Sequence, residues 1–434
     1  MQITANNNGS LKEIMANKLA DLKAKHKYLT SKIKGGDSLR VEQANNRGFV
    51  IAMDYSRNPS MGFMNADGGN LVTPGNPALD RMTASLQYIQ FGQEISNLQL
   101  ANSLSGARVG PAAKALAARK MLERRAEAEE WFFCRGDGTQ QIADITGSVT
   151  AVLDTEVTVA TAGTRDGAGS YLLSVNQRVR IYTSALVYKS KGYVSAKTSN
   201  TSFGYTATAI TTAGIVDTDI VLPESDTTTP TTTGIKGLPY LVKASGSFFD
   251  KTLSATPSLK AVVDSSTTTF SRATLEALAE NHVTRAGEDV DTRAVTSFAQ
   301  RANYYQQFYS TFTPATNVIG DQRAQPDMGG KRLMQYTFWG QPIEAFVYIH
   351  PKYWYNLTFS SFARLTLKEA GRMLTPQGEF VPKISSGVYA NAQQQWDDDF
   401  LEYLTDSPHE NSCMSALTFS GLPGLLKDST YTGN

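Results

Sequence analysis

The chain is poor in the residues from which reactive sites are built. It has 4 histidines among 434 residues. His26, His282, His350 and His409 form no HxxxH, HExxH or HxH pattern, which excludes the common imidazole metal motifs. The 2 cysteines, Cys134 and Cys413, make neither a disulfide framework nor a CxxC pair, and folding in a reducing cytoplasm is the expectation. No apolar run approaches the roughly 18 residues of a membrane-spanning helix. The opening MQITANNNGS has no apolar stretch of the kind that marks a signal peptide. An excess of either charge is missing too: 41 Lys+Arg stand against 40 Asp+Glu, which points to neither a nucleic-acid nor a membrane partner. Walker, GxSxG and dinucleotide-binding patterns are absent. The densest carboxylate cluster, Asp397-Asp398-Asp399, lacks the alternate spacing and glycine turn of a calcium loop and reads as a solvated face. The expectation is therefore no enzyme activity, no cofactor and no metal.

What the chain does have is a sequence of dissimilar segments. Leu11, Met15, Leu19 and Leu22 recur at helical spacing and predict a helix over Leu11–Lys27. The first 48 residues hold nine Lys/Arg and four Asp/Glu, a mildly basic arm that is either a solvated amphipathic helix or a contact element. Alternation then takes over. Phe49, Ile51, Met53 and Tyr55 share one face of a strand, as do Met82, Ala84, Leu86 and Tyr88. A Gly-, Pro- and Asn-rich stretch from Arg57 to Pro77 joins the two into a long hairpin. A lone hairpin is marginal in water, so either more of this chain or another molecule must cover it.

The strongest helix signal follows. Pro111 suits the first helical position. Ala112 to Phe133 contains no Gly, Pro or β-branched residue, and Ala115, Ala118, Leu122 and Ala126 form a narrow small-residue stripe. Such a helix would be on the order of 35 Å long. Its charges oppose the helix dipole, with Lys114, Arg119 and Lys120 early and Glu127, Glu129 and Glu130 late. That order suggests that they serve contacts outside the helix.

The helix runs into EEWFFCRGDGTQ, Glu129 to Gln140. Gly136 and Gly138 read as a helix stop that permits positive φ, with Asp137 between them. The stretch also holds an Arg-Gly-Asp tripeptide, which is a weak adhesion motif. A phosphate loop would precede a helix rather than follow it. Cys134 has no patterned histidine to activate it.

From about Thr146 to Lys236 the composition shifts to Thr, Val, Ser, Gly and Ala. QRVRIYT, GYVSAKT, GYTATAITT and DIVLPE read as short strands of a compact β unit, with a small barrel as one arrangement. DTTTPTTTG, Asp226 to Gly234, reads as a linker. Further on, Ser271 is a candidate N-cap, with Leu275 and Leu278 apolar and Gly287 the stop. Phe298, Ala302, Tyr305 and Tyr309 suggest another helix face. GQPIEAFVYI reads as a strand and YWYNLTF as core. The mixed order is α+β.

This order of parts resembles the major capsid proteins of tailed bacteriophages, the Hong Kong 97 fold. The quoted residues that carry the resemblance are the hairpin at Arg47–Gln93, the long helix at Pro111–Phe133, its end in Gly136-Asp137-Gly138, and GQPIEAF. The resemblance implies an N-terminal arm at 1–45, an extended E-loop at 46–95 and a peripheral domain with its spine helix at 96–146. It further implies an inserted β domain at 147–235, an axial domain at 236–390 and a C-terminal return to the peripheral domain at 391–434. It implies self-assembly into hexameric and pentameric capsomers of an icosahedral head enclosing double-stranded DNA without sequence-specific binding. Scaffolding, portal and decoration proteins are implied partners, and the virion, assembled in the host cytoplasm, the implied location. Phe49, Ile51, Met53, Tyr55, Met82, Leu86, Tyr88 and the six helix charges are then candidate contacts between subunits. A cellular encapsulating compartment of the same fold, an adhesion protein using Arg-Gly-Asp and a hydrolase built on Cys134 are the competing readings.

Overall fold

The structure is a computed structural model that describes residues 28–35, 41–43, 48–54, 79–97, 109–146, 155–158, 173–197, 202–210, 214–224, 234–269, 271–287, 292–309, 337–338, 341–366, 381–385 and 388–418. The helix expected at Leu11–Lys27, the hairpin tip with Tyr55, and most of the Thr-rich linker lie outside the described residues.

Helix, hairpin and β unit are all present, but the hairpin does not stand alone. Gly48–Asp54 pairs antiparallel with Leu79–Ser85, Phe49 facing Ala84 and Ile51 facing Met82. A third strand, Val41–Gln43, comes from the arm and pairs with the outer edge of Gly48–Asp54. The Lys251 ammonium bonds to Asp80 at 2.6 Å, and the Thr83 N–H donates to the Asp250 carboxylate. Much of the hairpin's cover is therefore this chain itself.

The return strand also changes face. Met82, Ala84 and Leu86 are buried, whereas Tyr88 is 46% exposed. The strand breaks at Leu86 and resumes as Gln87–Ser96, so the side-chain alternation shifts by one position. Tyr88 is thus not on the face that its spacing predicts. Its ring instead meets Phe400, 5.0 Å away.

Gln87–Ser96 runs along an 18-residue strand, Val388–Thr405, over ten consecutive register pairs. The other edge of that strand takes Val381–Ser385 and Phe362–Thr366 in tandem. Asp397, Asp398 and Asp399 lie in this strand opposite Phe91, Gln90 and Ile89.

A second sheet runs in the order Val262–Asp264, Ser412–Met414, Trp354–Thr358, Thr292–Thr296, Glu344–Ala345. Trp354, Tyr355 and Leu357 are fully buried, as expected for core. Helix Arg272–Ala286 packs Leu275 and Leu278 into a cluster with Trp354 and Met414. Ser271 caps it through a reciprocal capping box with Thr274, and Gly287 ends it at φ 94°. The helix Phe298–Tyr309 is present and buries Ala299, Gln300 and Tyr304; Phe298 and Ala302 are half-buried, and the side chains of Tyr305 and Tyr309 lie outside the described residues. Phe298 lies at the first position, where the Arg301 guanidinium covers its ring. GQPIEAFVYI is not one strand: Gln341–Pro342 and Glu344–Ala345 pair with different partners.

The β unit is a six-stranded sheet in the order Ala143–Asp144, Ile220–Pro223, Arg178–Tyr182, Tyr188–Lys197, Ser202–Ile210, Thr155–Thr158. Among the described residues it is open rather than barrel-closed, since the first and last strands of this order do not pair. Val179, Ile181, Val194, Phe203 and Val221 belong to the same buried cluster as Phe133 and Tyr403. The unit therefore shares the main core. No helix among the described residues is long and apolar enough to cross a membrane.

Candidate subunit-contact site at the end of the long helix

The long helix spans Val109–Arg135, about 40 Å at 1.5 Å per residue. Its last two turns are where the arm, the long strand and the β unit meet.

Glu130 is fully buried, and its carboxylate accepts the backbone N–H of Leu29 at 2.6 Å and of Thr30 at 2.8 Å. Leu29 precedes the 3-10 turn Thr30–Lys32, so a helix carboxylate satisfies two donors of the arm. Burial pushes the Glu130 carboxyl above the ordinary range, and the two N–H groups pull the other way. Glu129, one residue earlier, takes the guanidinium groups of Arg125 and Arg364, both at 2.9 Å. The Tyr403 hydroxyl donates to its backbone carbonyl at 3.1 Å. Glu127 lies 3.7 Å from Arg124. The three late acids therefore have partners in their own helix, in the arm and in strand Phe362–Thr366. Lys114, Arg119 and Lys120 are in the helix backbone; their side chains lie outside the described residues.

The hairpin candidates divide in the same way. Met82 is fully enclosed, and Ile51 and Leu86 are 3% and 5% exposed, so these side chains are packed inside this chain itself. Phe49 is half-buried against the same core, and Tyr88 is the exposed member. Met53 lies in the strand backbone, with its side chain outside the described residues.

The helix stop has two different causes. Gly138 has φ 89°, the left-handed conformation expected at such a stop. Gly136 does not have positive φ; it is needed because backbone approaches it. A Cβ there would lie 2.4 Å from the Phe132 carbonyl oxygen and 2.5 Å from that of Ile235. The approaching chain is the end of the β unit. Gly237 N–H donates to Gly136 O and Gly234 N–H to Gly138 O, both at 2.7 Å, with Asp137 and Lys236 bridged between them. The β unit thus leaves and rejoins the chain at one stapled pair of segments. Asp137 also accepts from the N–H and hydroxyl of Thr139.

Lys236 then reaches Glu402 of the long strand. Its backbone N–H donates at 2.8 Å and its ammonium lies at 3.0 Å. Glu402 is fully buried, and burial pushes its carboxyl up to about 7 against the lowering effect of Lys236. Sequence inspection missed this pair, because neither residue lies in a patterned motif. Lys243 is held down at about 8 by burial and the Lys236 charge.

These contacts remove two competing readings. Arg135 is buried, with its Nε donating to the Tyr348 carbonyl at 2.6 Å, and Gly136 is walled by backbone. The tripeptide is therefore not displayed for adhesion. Cys134 is buried, and burial together with Glu130 pushes its thiol well up, the opposite of an activated nucleophile. Among the described residues, no cluster of three His, Cys, Asp or Glu could hold a metal.

No protein-family model and no curated protein matches the chain. Solved structures do. A chain of the cyanophage A-1(L) capsid asymmetric unit superposes with a TM-score of 0.52 at 10% identity, over 92% of this chain and 95% of its own. A Gordonia phage Cozz chain gives 0.47 at 8% identity, over 93% and 90%. The capsid of a native GTA particle gives 0.45 at 10% identity, over 92% and 95%. The first of these defines the class: this chain has the mixed α and β fold of a phage capsid protein.

Proposed function

We propose that the protein is a major capsid protein of a tailed bacteriophage, a structural subunit that assembles into the icosahedral head shell around the genome. The observation that carries this reading is the superposition on a cyanophage capsid chain over 92% of this chain and 95% of the other. Agreement over that extent takes in the whole architecture rather than one motif. The chemistry described above supports it, since the buried carboxylates of Glu130 and Glu402 are engaged in holding distant segments together.

In this reading the hairpin is the extended E-loop, Val109–Arg135 the spine helix of a peripheral domain, and the sheet around Trp354–Thr358 the axial domain. The six-stranded β unit is an insertion between them. Subunits form hexameric and pentameric capsomers, with scaffolding, portal and decoration proteins as partners and double-stranded DNA enclosed without sequence readout. Negative-stain microscopy of the purified full chain tests the proposal. Hollow particles or capsomer-sized rings are the expected result. A strictly monomeric protein at high concentration would overturn it.

A further inference from the structure

The packing leaves the amine of Lys243 without an anion. Lys189 pairs with Asp219, Lys236 with Glu402 and Lys251 with Asp80, at 2.7, 3.0 and 2.6 Å. The Lys243 ammonium makes no ion pair and no hydrogen bond to any described residue; it lies 3.5 Å from the centroid of the Tyr240 ring. Its side chain is half-buried. The Lys236 ammonium lies over the same ring at 5.7 Å and over the Phe249 ring at 5.0 Å.

Local structure fixes this arrangement. The short helix Leu238–Leu241 buries Leu238 and Leu241, and Tyr240 packs against Gly138, where a Cβ would lie 3.1 Å from its ring. The Tyr240 hydroxyl accepts the Phe249 N–H at 2.7 Å, which holds the ring in place. The backbone carbonyl of Lys243 accepts the Ala261 N–H. Directly after it, Ser245, Gly246 and Ser247 are exposed, with Gly246 at φ 85°. The amine therefore stands beside a solvent-facing turn, within reach of a small reagent.

The charged groups that face Lys243 are Lys236, of the same sign, and Asp137, of the opposite sign. The Tyr240 ring attracts an ammonium, but it does not replace the water that burial removes. Burial first, and then the Lys236 charge, hold the amine down at about 8. A sizeable share is neutral near pH 7.5, where an ordinary lysine is almost wholly protonated.

We propose that Lys243 is a modification site, an acceptor for small activated acyl groups of the acyl-phosphate class. The neutral Nζ attacks the acyl carbonyl carbon and forms a C–N bond. The bond from that carbon to the phosphate oxygen breaks, and phosphate leaves with the electron pair. The proton shed by the nitrogen passes through solvent to the phosphate. The amide product is uncharged, so the repulsion toward Lys236 ends while the Lys236–Glu402 pair is kept. This site is additional to the shell role and does not rest on it.

The test treats the full-length protein with limiting acetyl phosphate near pH 7.5, with a lysine model peptide in the same mixture. Peptide mass spectrometry follows the acetylation of each. Lys243 should react about tenfold faster than the model peptide, its larger neutral fraction being offset in part by its lower basicity. Its rate should level off above about pH 9, whereas that of the model peptide keeps climbing. An equal or slower rate at Lys243, or a rate that climbs in parallel with the model peptide, would overturn the assignment. Asp137→Asn removes the anion that faces the amine and should raise the Lys243 rate near pH 7.5 about twofold; a fall in that rate would count against it as well. Both readouts are taken on the unassembled chain, so they stand whether or not particles form.

Discussion

At Gly136 a single hydrogen atom decides whether the β unit can rejoin the chain. Adding a methyl forces carbonyl oxygens at 2.4 and 2.5 Å to move, and overpacking of this kind costs about 1–3 kcal/mol. Gly136→Ala should lower the denaturation midpoint clearly, and Gly136→Val more so. Asp137→Glu disturbs only the turn to Thr139 and should cost about 0.5–1.5 kcal/mol. Urea titrations of the three variants check the order; Asp137→Glu as the worst of them would contradict the backbone-contact explanation. Two buried titratable groups give a second expectation. Glu402 is raised to about 7 by burial, so the folded state holds its proton more tightly than the unfolded chain. Its contribution is largest at low pH and is lost as pH rises from the unfolded value through about 7. His282 is lowered to about 4 by burial, so its contribution is present above the unfolded imidazole value and is lost as pH falls toward 4. Glu402→Gln should therefore make stability rise more steeply with pH between 5 and 7, and His282→Gln should flatten that rise. Thermal midpoints across this range test both slopes, and parallel profiles for wild type and variants would refute the assignment.

Elements read from periodicity were found where local chemistry set them. The Ser271 cap, the Gly287 stop and the Val109–Arg135 helix depend on neighbours in sequence. The errors arose where distant partners decided. Tyr88 continues the alternation of Met82, Ala84 and Leu86 in sequence. A change of pairing partner, from Gly48–Asp54 to Val388–Thr405, moves it to the other face. Val41–Gln43 is too short to announce itself as a strand, and the Lys236–Glu402 pair joins residues 166 apart. Among the helix charges, Glu130 and Glu127 predict opposite outcomes. Glu130→Ala strips the buried Leu29 N–H and the partly buried Thr30 N–H of their acceptor, a loss of about 1–3 kcal/mol for the buried group, and hydrogen exchange at 28–33 should quicken at least tenfold. Glu127→Ala removes a partly solvated pair with Arg124, worth about 0–1 kcal/mol, and should leave that exchange unchanged. For the early cations we propose a role between subunits. Arg119→Glu/Lys120→Glu should impair particle assembly more than it lowers the melting temperature, with the defect depending on salt. Equal particle yields at low and high ionic strength would remove that role.

For the whole molecule, the shared core has a consequence for folding. The composition change near Thr146 suggests a separable unit, yet Val179, Phe203 and Val221 lie in one buried cluster with Phe133 and Tyr403. Arg124 of the long helix also bonds to Gln177 of the β unit at 3.1 Å. Calorimetry of the full chain should therefore show the β unit and the main body unfolding in a single transition, with calorimetric and van't Hoff enthalpies in agreement. Two resolved transitions would show that the buried cluster does not couple them.

The long strand Val388–Thr405 bears on how this molecule carries a mechanical load. Its ten register pairs with Gln87–Ser96 follow directly on the hairpin's return strand, Leu79–Ser85. A tug on the hairpin therefore reaches those ladder bonds through one continuous stretch of backbone. The same strand is fastened along its opposite edge to Phe362–Thr366 and Val381–Ser385. Tension entering through the hairpin is spread into the body of the subunit over the length of a beam, and no single hydrogen bond has to bear it.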